Sequence, residues 1–291
     1  MSLRRFSSSR SFLTFSLVFT FLLAGGLFLA RRNSAQAIQP QTQHLASGIL
    51  AAAKPLPATL VLHTATLLNN GRVLVVGGTT DGTDAGATNQ TYLYDPRTGE
   101  WTETGVMRIA RKGHFAVLLQ NGRVLVGGGK NGGGFLNSAE IYDPDKQTWA
   151  PTGNLTQPRH RASATLLANA TNASTARNGF VLAVGGESSS PAVLDTAEFF
   201  NPATGQWKAT ATKLRRARVN HTATLLTGGD VMIAGGYATP SQPIADVEVY
   251  DPLADRWKTT NSMKTARFGH SATMLTTSKV LAADGADPAV A

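Results

Sequence analysis

A chain of 291 residues with 42% hydrophobic and 15% charged side chains has the composition of a strand-rich globular protein, long enough to bury one large core or two smaller ones. The formal charge of +9 does not mark a nucleic-acid binder: Arg4, Arg5, Arg10, Arg31 and Arg32 precede residue 38 with no acid among them, leaving 22 basic against 18 acidic side chains, a net +4 spread evenly over the rest. The absence of cysteine excludes disulfides and thiolate metal sites and leaves the redox compartment open.

The first element is an apolar run, Ser11–Ala30, of Phe, Leu, Val, Ala and Gly broken only by Ser and Thr, preceded by Arg4, Arg5 and Arg10. It reads as a hydrophobic export helix that directs the remainder out of the cytoplasm. Ala35-Gln36-Ala37 has the small-x-small pattern of a cleavage site, yet the run is long for a signal peptide and Arg31-Arg32 stands before that site. Residues 1–37 are therefore read as a signal peptide or, if uncleaved, a membrane anchor with its N-terminus inside. The Arg4-Arg5-Phe6 order lacks the spacer of a twin-arginine signal. Residues 38–57, rich in Gln and Ala with three prolines, form a linker.

From residue 58 the chain repeats. His63–Gly78, HTATLLNNGRVLVVGG, reads as a hairpin in which Asn70-Gly71 supplies a type I′ turn and Val73–Val76 returns as a nearly all-apolar strand. Copies begin at His114, Ala162, His221 and His270. Gly doublets at 77/78, 128/129, 185/186 and 235/236, with Asp284-Gly285 in the fifth place, step by 51, 57, 50 and 49 residues. The longest step carries an Ala/Asn/Thr-rich insertion between Leu167 and Val181, which extends one hairpin tip without touching the repeat.

Each full copy continues into a third strand ending in an aromatic and Asp/Asn-Pro, at Pro96, Pro144, Pro202 and Pro252. Five residues later comes a tryptophan: Trp101, Trp149, Trp207 or Trp257. All the tryptophans thus share one repeat position, as core residues do. Met107, Leu155, Leu214 and Met263 close a fourth strand. Four short antiparallel strands in a unit of about 50 residues cannot bury both faces alone and must stack as blades around an axis.

The His-x-Ala-Thr-Leu-Leu hairpin, Gly doublet, Tyr-Asp-Pro and spaced Trp resemble the kelch repeat, and through it the propeller domain of galactose oxidase. The resemblance covers residues 58 to about 285. It implies an all-β kelch-type propeller over 58–291 with four full four-stranded blades and a partial fifth, following the N-terminal hydrophobic helix. The fifth copy stops after its second strand, so either Ser47–Leu62 supplies strands that close a small ring, or the propeller is open, oligomeric or truncated.

The strand order brings the loop before each hairpin and the loop after its Gly doublet to one end of the blades, an end where propellers commonly hold ligands. Arg111, Arg159, Arg218 and Arg267 recur there, each three residues before the first hairpin position, with Arg108, Arg161, Arg215 and Arg216 nearby. The following loops add Thr79–Asp84, Lys130–Gly134, Glu187–Ser190 and Tyr237–Ser241. Arg111, Arg159, Arg218, Arg267, Lys130 and Tyr237 are the candidate binding residues, since a ring of arginines could hold a carboxylate or sulfate bidentately. The stronger reading pairs the arginines inside their blades with Glu140, Glu198 and Glu248, which recur two residues before the aromatic of the third strand and offer one acid per blade. His63, His114, His221 and His270 share a repeat position that suits a hydrogen-bonded structural residue, and blade symmetry holds their rings too far apart for a metal. His160 is off-register and reads as an exposed loop histidine.

No cofactor is expected. Galactose-oxidase-like copper chemistry requires a cysteine-derived thioether, sialidase-type Ser-x-Asp boxes do not occur, and the glycine run at 127–134 opens no helix that could cradle a nucleotide. The expected function is therefore that of an extracytoplasmic, secreted or membrane-anchored, non-catalytic scaffold that binds a protein or glycan, acidic if the arginines face outward, and no nucleic acid. A degenerate oxidase-like or glycan-processing enzyme, or a truncated remnant without function, is the alternative.

Overall fold

The second strand of each repeat sets the architecture. Val73–Val76, Val124–Gly127, Val181–Val184 and Val231–Ala234 carry no polar residue, and a strand tolerates that only when both of its faces are covered. A computed structural model describes residues 53–168, 177–239 and 242–286. It shows each of these strands inside a four-stranded antiparallel sheet.

The first blade consists of β1 (Thr64–Leu67), β2 (Val73–Val76), β3 (Thr91–Asp95) and β4 (Glu100–Glu103) in spatial order. In the second, β5 (Phe115–Leu118) and β6 (Val124–Gly127) are followed by a small loop hairpin, β7 (Lys130–Asn131) and β8 (Gly134–Phe135), before β9 (Ala139–Asp143) and β10 (Thr148–Pro151) complete the sheet. The third is β11 (Ser163–Leu166), β12 (Val181–Val184), β13 (Ala197–Asn201) and β14 (Gln206–Ala209). The fourth is β15 (Thr222–Leu225), β16 (Val231–Ala234), β19 (Val247–Asp251) and β20 (Arg256–Thr259), with β17 (Tyr237–Thr239) and β18 (Gln242–Pro243) forming its loop hairpin. A last hairpin joins β21 (Ser271–Met274) to β22 (Val280–Ala283).

First strands of successive blades lie side by side, β1 to β5 to β11 to β15 to β21, so they line a common axis. Among the described residues β21 is not joined to β1 in the same way, and the blades form an arc. Leu56, Ala58 and Leu60 pack on the outer face of the first blade against Val75, Tyr92 and Trp101. The described part of Ser47–Leu62 therefore caps that blade rather than closing a ring.

Between blades the core repeats. Leu74, Val76, Leu93 and Met107 meet Val124, Val126 and Tyr142; Phe115, Val117 and Leu125 meet Val181, Ala183, Phe200 and Trp207; Leu182, Val184, Phe199 and Leu214 meet Val231, Ile233 and Tyr250. Each fully buried side chain of this size contributes roughly 1.5–3 kcal/mol relative to exposure. The fifth hairpin alternates between exposed and half-buried positions, and Leu281 is 54% exposed.

The hairpin turn differs from the type I′ expectation. Gly71 has φ +82° while Asn70 keeps an ordinary negative φ, and the Gly71 N–H donates to the Leu68 carbonyl while the Leu68 N–H donates to that of Arg72. The loop is the three-residue form, a type I turn over Asn69-Asn70 followed by one left-handed glycine, which also twists the strands correctly. The N-terminal hydrophobic helix, most of the linker, the core of the hairpin-tip insertion (169–176) and residues 287–291 lie outside the described residues. Among the described residues no helix is long and apolar enough to cross a membrane.

Candidate functional site

The repeated arginines point inward. Arg111, Arg159 and Arg218 are 0%, 1% and 0% exposed. Arg111 Nη2 donates to Glu140 Oε1 at 2.9 Å, Arg159 Nε to Glu198 Oε1 at 2.6 Å, and Arg218 Nη2 to Glu248 Oε1 at 2.5 Å. In each, Nη1 donates to two backbone carbonyls: Gly128 and Ser138, Gly185 and Thr196, or Gly235 and Asp246. The glutamates in turn accept backbone N–H groups of the interblade segment, from Arg108 and Ile109, Thr156, and Arg215. Burial pulls the Arg111 and Arg218 guanidinium groups below their usual range while the opposing glutamate pulls them back. These three arginines fasten linker to blade and cannot meet a ligand, which corrects the ligand-ring reading. Arg267 occupies the equivalent position, is half-buried, and donates from Nη1 to the Asp284 carbonyl at 2.7 Å.

The histidines are structural as well, but they join blades rather than strands within one blade. His114 Nε2 lies 2.9 Å from Thr64 Oγ1, His221 Nε2 2.7 Å from Ser163 Oγ, and His270 Nε2 3.0 Å from Thr222 Oγ1, each partner belonging to the preceding blade. His63 Nδ1 donates to the Leu60 carbonyl. Burial pushes the His114 and His221 imidazoles down to about 3, with Arg111 and Arg218 adding to the effect, so both are neutral at physiological pH. The tryptophan rings tilt against Tyr94, Tyr142, Phe200 and Tyr250 at centroid distances of 4.9–5.1 Å. Trp101 and Trp149 donate from Nε1 to the Lys54 and Gly105 carbonyls.

What does face solvent at this end is the lip of the axis. Leu62, Gly113, Arg161, Asn220 and Gly269, the residues just before the first hairpin position, all adopt left-handed backbone with φ between +54° and +63°. They are linked by backbone hydrogen bonds: Gly113 N–H to the Leu62 carbonyl, Arg161 N–H to that of Gly113, and Gly269 N–H to that of Asn220. With the adjoining His63, His114, Ala162, His221 and His270 they line an opening of about 310 Å³. Where the lip residue is not glycine, it puts a side chain at the mouth.

Two polar clusters flank the lip. Asp84 bridges Lys112 at 2.8 Å and Lys130 at 2.7 Å, and hydrogen bonds from these two ammonium groups hold its carboxyl at about 2. Lys130 also lies over the Phe135 ring. On the other side Glu187 accepts from His160 Nδ1 at 2.8 Å and from the Tyr237 hydroxyl at 3.2 Å, and Tyr237 stacks edge-on against Phe268. The bond from His160 is the main cause that lowers the Glu187 carboxyl. His160 is 4% exposed, which corrects its reading as an exposed loop histidine. Candidates Lys130 and Tyr237 therefore both reach this end, each tied to an acid. Arg161, with its side chain 34% exposed, stands 3.9 Å from Glu187 and also faces the Tyr237 hydroxyl, so its guanidinium is held at the mouth by a loose ion pair. Asn220 and Lys112 were not singled out from the sequence; the residue preceding each repeat's first hairpin position points to Asn220, and the position before that to Lys112.

Fold and site define a β-propeller of four-stranded antiparallel blades. One model of the kelch motif matches residues 111–156 and 218–264 and a second matches 61–108, so the chain is a kelch-repeat β-propeller protein. No match was found among curated proteins. Among solved structures the protein YjhT is similar, with 14% sequence identity and a TM-score of 0.65 over 81% of this chain and 80% of that one. At that identity the likeness speaks to the fold alone.

Proposed function

We propose that this kelch propeller is an exported, non-catalytic scaffold that binds a partner protein at the mouth of the axis, with a carboxylate-bearing side chain of the partner on Arg161. The observation that carries the reading is the state of Arg161: its nearest acid, Glu187, already accepts from His160 and Tyr237, while the guanidinium opens onto a lip built from all five repeats. A planar fork in that setting suits a carboxylate, and Asn220 on the same lip offers an amide to neighbouring backbone. Arginine at an interface centre is a common anchor.

The test is an array of acidic peptides and of neutral and acidic glycans probed with the full chain and its Arg161→Ala variant. Binding of acidic peptides that weakens with salt and falls at least tenfold in the variant, at unchanged thermal stability, supports the reading. Binding of glycans alone, or equal binding by the variant, overturns it. Export rests on Arg4, Arg5, Arg10 and the run that follows. A reporter fused after Pro57 that is active only in the cytoplasm would refute that part.

A further inference from the structure

Four asparagines are followed directly by glycine: Asn70, Asn121, Asn131 and Asn178. Glycine has no side chain to shield its backbone nitrogen, so that nitrogen can attack the preceding side-chain amide in an intramolecular acyl transfer. The fold treats the four unequally. The Gly71 N–H donates to the Leu68 carbonyl, the Gly122 N–H to that of Leu119 and the Gly179 N–H to that of Leu167, at 2.7–3.0 Å. Those nitrogens are committed to the turns of the blade hairpins. Gly132 instead lies exposed at the tip of the β7–β8 loop hairpin, and among the described residues its N–H donates to no partner.

The Asn131 side chain is held ready for that attack. Its Oδ1 accepts from the Gly133 N–H at 2.9 Å, so a donor already stands where negative charge develops when the amide carbon is attacked. Asn70 and Asn121 accept in the same way from the Arg72 and Arg123 N–H groups, which leaves the uncommitted nitrogen of Gly132 as the distinguishing feature. We propose that Asn131 deamidates spontaneously in the folded protein and that the product releases the tip of the loop hairpin. The Gly132 nitrogen bonds to Asn131 Cγ and gives its proton to water, while the Gly133 N–H holds the oxyanion on Oδ1. The Cγ–Nδ2 bond then breaks as Nδ2 takes a proton from water and leaves as ammonia. Water opens the resulting five-membered imide at either carbonyl, giving aspartate or isoaspartate. The whole sequence consumes one water, releases one ammonia and involves no oxidation or reduction.

The second bond of the side chain makes the exchange matter. Asn131 Nδ2 donates to the Ala110 carbonyl at 2.9 Å, tying the hairpin tip to the interblade segment ahead of the buried Arg111. A carboxylate has no N–H to offer that carbonyl and repels it. The base of the hairpin stays attached, because Lys112 and Lys130 exchange both of their backbone hydrogen bonds. Deamidation therefore frees the tip and leaves the blade intact, whatever the mouth binds.

The test is to incubate the full chain for weeks at mildly alkaline pH, folded and in urea, and to read each Asn-Gly site by digestion and tandem mass spectrometry, with isoaspartate counted by enzymatic carboxyl methylation. In the folded chain Asn131 should convert at least about tenfold faster than Asn70, Asn121 or Asn178, since only its attacking nitrogen is free to align. In urea the sites should converge, because the unfolded chain retains only the shared dipeptide. Gly132→Ala should slow Asn131 by about tenfold through shielding of the nitrogen. The fold should accept this change: a Cβ there meets nothing nearer than the Ala85 Cα at 3.6 Å, and Gly132 does not use the left-handed region. Asn131→Asp should speed amide exchange across residues 131–135 while Val124–Gly127 stays protected. Conversion of Asn131 no faster than that of the other sites in the folded chain, or an unchanged rate in Gly132→Ala, overturns the proposal. Unchanged exchange in Asn131→Asp overturns its stated consequence for the hairpin.

Discussion

The first blade and the three that follow solve the same seam with opposite chemistry. In blades two to four the interblade segment is fixed to the third strand by a buried ion pair, Arg111–Glu140, Arg159–Glu198 or Arg218–Glu248. In the first blade Leu60 holds the arginine position and Tyr92 the glutamate position, and the two pack with Val75 in an apolar cluster. Both partners change together, so the position demands a matched pair rather than a charge. Conserved geometry with interchangeable chemistry is the mark of a structural joint, and it removes the arginines from the ligand face without appeal to any ligand. Replacement of a buried ion pair by well-packed apolar residues is often neutral in stability, whereas loss of one partner is not.

The largest test of that comparison is Arg218→Ala, which strands Glu248 at 2% exposure. It should cost about 3–5 kcal/mol in urea unfolding and leave ligand binding at the mouth intact. The joint substitution Arg218→Leu with Glu248→Tyr copies the first blade and should recover most of the loss, a coupling that a double-mutant cycle reads directly. A double variant as unstable as the single one would show that the apolar pair works only beside Val75.

Next in size is Trp149→Ala. The ring is half-buried, covers the fully buried Tyr142 at 5.1 Å, and donates to the Gly105 carbonyl of the preceding interblade segment. Its removal should cost about 3 kcal/mol, at the lower end of large-to-small core changes. A loss below about 1 kcal/mol would mean that the first interblade seam is held without it.

Much of this was legible beforehand because it is periodic. The all-apolar second strands, the Gly doublets, the aromatic-Asp/Asn-Pro endings and the tryptophans recur at a step near 50 residues, and periodic burial leaves a periodic trace. The mouth was harder to see for the complementary reason. Its lip runs Leu62, Gly113, Arg161, Asn220, Gly269, five residues alike only in backbone conformation, and side-chain identity does not report a left-handed φ shared by Leu, Arg and Asn. His160 misled for a related reason: its burial depends on Glu187, contributed by a loop 27 residues on. Asn-Gly suggested the wrong turn because the same dipeptide serves type I′ turns and the last two positions of a three-residue loop.

An effect smaller per residue separates the histidine seam from the arginine seam. His114 and His221 are held at about 3 against an ordinary 6.5, so between those values the unfolded chain binds protons that the folded chain refuses. Stability is complete above about pH 6.5 and falls as pH is lowered toward 3, by about 2 kcal/mol per histidine at pH 5. Urea unfolding at pH 7 and pH 5 measures the loss, and His114→Asn should reduce the slope; an identical slope in the variant would assign the acid sensitivity to other groups.

The smallest effect concerns the fifth hairpin, where the comparison among repeats is sharpest. The first glycine of each doublet faces a carbonyl of the next blade: a Cβ on Gly128 would stand 2.2 Å from the Arg159 oxygen, and one on Gly235 2.5 Å from that of Arg267. In the fifth copy the position is Asp284, at φ +63°. Among the described residues no following interblade carbonyl approaches it, so the aspartate meets only the backbone strain of a left-handed residue, which is modest for Asp. Asp284→Gly should therefore raise stability by less than about 1 kcal/mol, the gain from relieving that strain being partly offset by the greater freedom of glycine in the unfolded chain. A gain of several kcal/mol would mean that Asp284 is crowded as Gly128 would be if substituted, and that the arc closes on this hairpin in solution.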